Sequence, residues 1–161
     1  MIELKMKKLS NTATLPTKAH PTDACFDLYA NVPDTVYYEW NGGVEVKEST
    51  GVKIRPGETV LVGTGIAAAI PEGYYAAIYA RSGLASKQGL RPANCVGVVD
   101  SPYRGEWMVA LHNDSHETRI VHHSDRIAQF AVLPVFDVAI EEVPELDETT
   151  RGAGGFGSSG K

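Results

Sequence analysis

The run NCVGVVDSPYRGEWMVALHN, residues 94–113, decides the fold class. Val96 to Val99 form a short apolar, β-branched stretch of strand type. It delivers Asp100 into a turn built with Ser101, Pro102 and Gly105, residue types that bend a chain for distinct physical reasons. EWMVALHN then resumes a strand-like run. Neither half is long enough for a helix, so the segment reads strand, turn, strand.

Working outward, the same grammar recurs. IELKMKKL alternates, with Ile2, Leu4 and Met6 on one face, and VYYEW, VEVKE, GVKI and TVLVGTGIAAAI follow between Gly and Pro punctuation. YYAAIYA, TRIVHH and RIAQFAVLPV complete the set. Strands this short with turns this frequent predict an all-β sandwich, jelly roll or barrel. The spacing predicts one helical turn, SGLASKQG, opened by Ser82 and closed by Gly89. A hairpin is expected around Asn41-Gly42-Gly43, within residues 33–51. After Val138 the chain turns acidic through EEVPELDETT. Residues 1–138 therefore read as one β domain carrying the 33–51 hairpin, and 139–161 as a solvated arm and Gly-rich tail.

The 161 residues suffice for one domain with a sizeable core, and 43% hydrophobic with 22% charged residues is a globular composition. A net charge of −5 argues against a nucleic-acid surface. No apolar run reaches the length of a membrane span, and MIELKMKKLS lacks the apolar core of a signal peptide. Two distant cysteines, Cys25 and Cys95, indicate neither a disulfide framework nor a paired metal site, so a cytoplasmic setting is expected.

Three constellations carry chemistry. Arg81, Ser82 and Gly83 stand where a strand yields to the short helix, a place suited to an anion or, more simply, a Ser cap beside a surface Arg. Asp100 at a strand end, with Tyr103 nearby, is suited to orient or deprotonate a water, or merely to start a turn. Asn94 has an amide that reads a base edge or caps the same turn. The His112–His116 spacing fits a zinc pair on a helix, but Asn113-Asp114-Ser115 breaks any helix there, so a solvated loop is expected.

The tail RGAGGFGSSGK, residues 151–161, nearly spells a phosphate P-loop. A P-loop needs a strand before it, a helix after it and a metal-holding Ser or Thr after the Lys. None of these is present, so the literal motif is not expected. Its glycines, Ser158, Ser159 and Arg151 nevertheless suit close wrapping of phosphates, and Phe156 is an aromatic in need of something to stack on.

Taken together, DACFDLYA (residues 23–30), ARSGLA (80–85), NCVGVVDSPYRGE (94–106), SDRIAQF (124–130) and RGAGGFGSSG (151–160) stand in the order of five motifs, and the chain resembles the trimeric dUTP diphosphatase (dUTPase) family. The resemblance implies a distorted jelly roll with one short helix and a flexible C-terminal tail, assembled as a homotrimer with shared active sites. It implies water attack on the α-phosphorus of dUTP, giving dUMP and pyrophosphate, with Mg²⁺ as cofactor. This would limit uracil in DNA and supply dUMP for thymidylate synthesis. By the same resemblance Asp100 orients and deprotonates the water, and Gln129 holds the water or the phosphate beside it. Arg81, Ser82 and Gly83 contact phosphates. Asn94 and the backbone of Gly97, Val98 and Val99 read the uracil. Tyr103 packs under the deoxyribose, and Met108 lies near the nucleoside. Asp27 holds Mg²⁺ through water. In the tail, Arg151 reaches the outer phosphate, Phe156 stacks on uracil, and Gly157, Ser158 and Ser159 wrap the phosphates.

The chain departs from the family pattern in places. Ala77 and Ala80 stand where Arg and Pro are common, Ser124 where Gly is usual, and Ser159 where Thr is commoner. The 33–51 hairpin exceeds the usual link. Phage members carry such segments, and some bind regulatory proteins, so a protein partner at this hairpin is one alternative. A dCTP deaminase, which shares the fold, is another, but the catalytic Glu signature it needs is not found.

Overall fold

The computed structural model describes residues 2–32, 35–40, 43–48 and 51–155. Among these residues thirteen strands and one helix follow in chain order: β1 (Lys5–Lys8), β2 (Phe26–Tyr29), β3 (Thr35–Trp40), β4 (Gly43–Glu48), β5 (Val52–Ile54), β6 (Thr59–Gly63), β7 (Ile66–Ala69), β8 (Tyr74–Tyr79), α1 (Ser82–Gln88), β9 (Leu90–Pro92), β10 (Gly97–Asp100), β11 (Met108–Asn113), β12 (Arg119–Val121) and β13 (Arg126–Pro134). The expected all-β class with one short helix is what forms.

A four-stranded sheet runs β10-β8-β13-β2, and a three-stranded one β6-β11-β9. Two-stranded pairs β1-β7, β5-β12 and β3-β4 complete the set, and every ladder is antiparallel. Trp40 pairs with Gly43, so the predicted hairpin forms with Asn41 and Gly42 between its strands, although those two lie outside the described residues.

Period-two patterning explains β11, where Val109, Leu111 and Asn113 are buried and alternate with more open positions. β8 breaks the pattern, because Ala76, Ala77 and Ile78 are all buried. It is central to its sheet, and small alanines let other elements close over both faces. Ala77 is therefore a packing position, paired with Val98 and Ala131. The register of β13 shifts between Arg126 and Ala128, so Ile127 and Ala128 are buried in succession before alternation resumes at Gln129.

Leu28, Ile54, Ile66, Leu90, Trp107 and Phe130 dominate the core. Trp107 meets Phe130 edge-to-face at 5.0 Å, and Phe130 stacks on Phe26 at 5.5 Å. Such pairs contribute about 1 kcal/mol each beyond area burial. Asn113, wholly buried, uses its full capacity: Nδ2 donates to Ile54 O (2.9 Å) and Glu117 O (2.8 Å), and Oδ1 accepts from Ser115 N (2.9 Å) and Oγ (2.7 Å).

Some expectations shift. The β1 strand begins only at Lys5, so Leu4 and Met6 pack on the core while Ile2 is exposed. TVLVGTGIAAAI is two strands, because Gly65, at φ +68°, turns the chain between them. β2 and β9 are strands that the patterning did not mark. Among the described residues no helix is long and apolar enough to cross a membrane.

Candidate active site

β8 runs into α1 through Ala80 and Arg81. Arg81 is the N-cap residue, with extended φ −84° and ψ 128°, and Ser82 is the first residue inside the helix. This corrects the Ser-cap reading: no side chain caps the helix, and the first turn holds no acidic residue. Gly89 closes α1 in the left-handed conformation, φ 68°, as the glycine predicts.

The Arg81 guanidinium is not a loose surface group. Its Nε donates to Asp27 Oδ1 at 2.7 Å, and Arg126 Nη1 donates to Asp27 Oδ2 at 3.2 Å. The sheet register makes this possible, because Gln129 is the cross-strand partner of both Asp27 and Tyr79. Gln129 Nε2 donates to Ala80 O at 2.9 Å, which ties β13 to the entry of the helix and leaves its Oε1 as an acceptor. These residues border a cleft of about 660 Å³, lined by Asp27, Arg81, Ser82, Gly83, Arg126 and Gln129 among others. Sequence reasoning missed Arg126, although SDRIAQF contained it, and Lys87. Lys87 lies four residues after Gly83, one turn along the same helical face, and lines the same cleft. Cys25, in the cleft wall, has its thiol pushed up by burial, with Lys18 opposing.

A second cleft of about 360 Å³ lies at the end of β10, lined by Val98, Val99, Asp100, Tyr103, Trp107 and Met108 among others. Asp100 is the exposed last residue of the strand, and Tyr103 N–H closes the turn onto Asp100 O at 3.1 Å. Tyr103 Oη donates to Glu106 O at 3.0 Å, which brings the hydroxyl end of the ring against Gly105. A Cβ on Gly105 would come within 2.6 Å of Tyr103 Cζ, so only glycine admits this packing. Arg104 braces the turn through Ser101 O and Tyr103 O. Glu106, unmarked by the sequence, accepts Gly65 N–H at 2.7 Å and borders the same cleft.

Asn94 and Gly97 line neither cleft. Asn94 sits in the turn before β10, and a Cβ on Gly97 would lie 3.2 Å from Asn94 Nδ2 and from Ile78 Cβ, so the glycine admits the amide. Arg151 lines neither cleft and donates from Nε to Gly154 O at 3.0 Å. Phe156, Gly157, Ser158 and Ser159 lie outside the described residues. His112 is a strand residue whose Nδ1 lies 2.8 Å from Thr59 Oγ1, so its spacing to His116 has no helix to act on.

Asp100 and Gln129 do not meet within one chain. Asp100 pairs with Tyr75 and Gln129 with Tyr79, on opposite sides of β8. Four residues along the strand and two strand spacings separate them by about 16 Å.

Residues 35–160 match the dUTPase family. A deoxyuridine 5'-triphosphate nucleotidohydrolase of Rhodococcus erythropolis is 43% identical, covering 99% of this chain and 87% of its own. One of Nautilia profundicola is 42% identical, covering 99% and 100%. In structure, a variant of the Staphylococcus bacteriophage 80alpha dUTPase solved with dUpNHpp is similar at a TM-score of 0.77, with 26% identity over 99% of both chains. With the family matched over most of its length and relatives this similar from end to end, the chain belongs to the dUTPase family.

Proposed function

We propose that the chain hydrolyses dUTP to dUMP and pyrophosphate by attack of water on the α-phosphorus. The observation that carries the reading is the second cleft: a carboxylate at the rigid end of β10 above a Tyr103 wall, in a chain of this family. Asp100 takes the proton of the attacking water, and its exposed strand-end position keeps it free to do so. Tyr103 presents a ring face to the sugar, and its hydroxyl is already committed to Glu106 O. The deoxyribose fits against that face, and a 2′-hydroxyl does not. Val98, Val99 and Met108 border the nucleoside, and Asn94 with the Gly97 backbone reads uracil.

Arg81, Ser82 and Gly83 hold phosphates in the first cleft, with Arg126 and Lys87 adding positive charge. Gln129, with one amide N–H engaged by Ala80 O, keeps its second N–H for a phosphate oxygen and Oε1 to accept a hydrogen bond from water. Arg151 and the glycine-rich tail through Phe156, Gly157, Ser158 and Ser159 close over the bound substrate.

The residues fit Mg²⁺ in an outer-shell arrangement. Asp27 has both carboxylate oxygens engaged by arginines, and no group of three or more His, Cys, Asp or Glu is assembled among the described residues. Mg²⁺ commonly keeps its waters and takes substrate phosphates, and then needs little direct protein ligation. When bound, it would neutralise phosphate charge and polarise the scissile centre.

The separation of Asp100 from Gln129 supports a site built between copies, in a homotrimer. The arm supports it too: Val135 is held by N–H to Gly73 O at 2.8 Å, after which Phe136, Val138, Ile140 and Leu146 are all exposed. Residues 1–138 are thus the catalytic unit and 139–161 an arm lent to a neighbour. Free Cys25 and Cys95 suit a cytoplasmic setting. Among the described residues the β3–β4 hairpin pairs only with itself, which supports reading it as an added segment; a pulldown with and without it tests for a protein partner.

The experiment is product analysis with dUTP, dCTP, dTTP and UTP in Mg²⁺. dUMP and pyrophosphate from dUTP, with little from the others, is expected. Deamination of dCTP would replace this reading with the deaminase one.

A further inference from the structure

We propose that Arg91, held by Asp114, is a positioning residue that fixes the turn presenting Asn94 to the base. The proposal rests on the dUTP reading above. Arg91 lies in β9, opposite His112 of β11. Its guanidinium makes a forked pair with Asp114, Nε to Oδ2 at 2.6 Å and Nη2 to Oδ1 at 3.1 Å. The remaining nitrogen, Nη1, points into the turn that follows: it lies 3.3 Å from Pro92 O and 3.4 Å from Cys95 Sγ. One planar group thus joins a fixed carboxylate to both ends of the residues 92–95 turn.

That turn needs support. Cys95 sits at φ +56°, a region sparsely populated by residues with a Cβ. Its N–H reaches Pro92 O at 3.2 Å, and Val96 N–H reaches Asn94 O at 2.6 Å. The conformation aims Asn94 against Gly97, at the start of the strand that ends in Asp100.

The anchor beneath is equally fixed. Asp114 N–H donates to Gly89 O at 2.8 Å, so Asp114 is seated on the closing residue of α1. Its neighbour Asn113 is wholly buried with every hydrogen-bonding position filled. His112 Nε2 also lies 3.3 Å from Asp114 Oδ1. The hydrogen bond to Asp114 also keeps the Arg91 charge firmly in place, raising its pKa further. Neither Arg91 nor Asp114 lines either of the two clefts described above, so their effect on substrate passes through Asn94.

A base-reading amide discriminates only while it is held still. A loosened turn lowers the fraction of enzyme competent to bind, which raises KM and leaves the chemical step alone. The test compares Arg91→Gln, Arg91→Lys and Asp114→Asn with the unmodified full-length protein, using steady-state kinetics with dUTP and dCTP, thermal melting, and the rate at which iodoacetamide labels Cys95, located by peptide mass. In Arg91→Gln, KM for dUTP should rise about tenfold with kcat within about twofold, the loss expected of a charge-assisted contact. The dUTP preference over dCTP should narrow, and Cys95 should label several-fold faster. Arg91→Lys keeps the charge and loses the fork, and should shift KM in the same direction. KM and labelling unchanged, or a kcat loss at constant KM, or a lowered melting temperature alone, would overturn the proposal. Should Arg91→Gln fail to fold, the other two variants decide by the same criteria. A wild-type protein that releases no pyrophosphate from dUTP removes the substrate reading instead, and the Cys95 labelling rates still decide whether Arg91 holds the turn.

Discussion

Arg81 and Asp27, 54 residues apart in the chain, form an ion pair at 2.7 Å in the wall of the larger cleft. The carboxylate also takes Arg126, so one acid sets the direction of two guanidiniums. Asp27→Asn keeps the shape but cannot balance both charges. We expect kcat/KM for dUTP to fall at least about tenfold and the Mg²⁺ concentration for half-maximal rate to rise. Pyrophosphate release titrated with Mg²⁺ checks this, and an unchanged midpoint would confine Asp27 to holding arginines.

Asp100→Asn removes the carboxylate proposed as the base at the end of β10 and leaves the turn hydrogen bond to its backbone carbonyl intact. Turnover should drop on the order of a hundredfold or more while a non-hydrolysable dUTP analogue still binds. Single-turnover kinetics and calorimetry separate the two effects. Near-normal turnover would remove Asp100 from the mechanism.

Tyr103 offers a shape, because its hydroxyl is spent on Glu106 O. Tyr103→Ala should therefore narrow the gap between UTP and dUTP, whereas Tyr103→Phe should largely preserve it. If the ratio of kcat/KM values stays constant in the alanine variant, the sugar is read elsewhere.

Ser124 occupies φ +65°, where a side chain is strained, and its N–H donates to Ala30 O at 2.9 Å. Ser124→Gly should relieve that strain and stabilise the fold by about 0.5–1 kcal/mol, net of the greater freedom glycine has when unfolded. Denaturant titration measures it. A destabilised glycine variant would show that the Ser124 side chain contributes more than its backbone strain costs.

The proposed shared-site arrangement predicts rescue between two defective chains. One carries Asp100→Asn with the tail intact, and the other stops before Thr150 and keeps Asp100. Each alone should be nearly inactive. Co-refolded in equal amounts, freely mixing trimers should place both intact parts together in about a quarter of sites, with activity to match. Mixed trimers seen by mass, yet without activity, would mean that the tail serves its own chain or none. A monomer in light scattering would defeat the shared site sooner.

Local chemistry is legible in the sequence. Gly89 announced the end of α1, Pro102 and Gly105 the turn after Asp100, and short apolar runs the strands, because turns and strands depend on residues close in the chain. Tertiary contact decided the rest. β9 is only three residues long and contains Pro92, so nothing local marks it as a strand; its pairing with β11 does. Arg126 reaches Asp27 across 99 residues because β13 pairs with β2 in one register, and spacing within either segment carries no trace of that. The pairing of β8 with β13 and β10 turned the Gln129 amide onto Ala80 and set Asp100 about 16 Å from Gln129 on the other side of β8. The sequence by itself determined which groups are available and how each short segment bends, because those follow from steric and hydrogen-bonding preferences within a few residues. Which groups face one another was settled only when the strands paired, because a ladder shifted by one residue would turn every side chain to the opposite face.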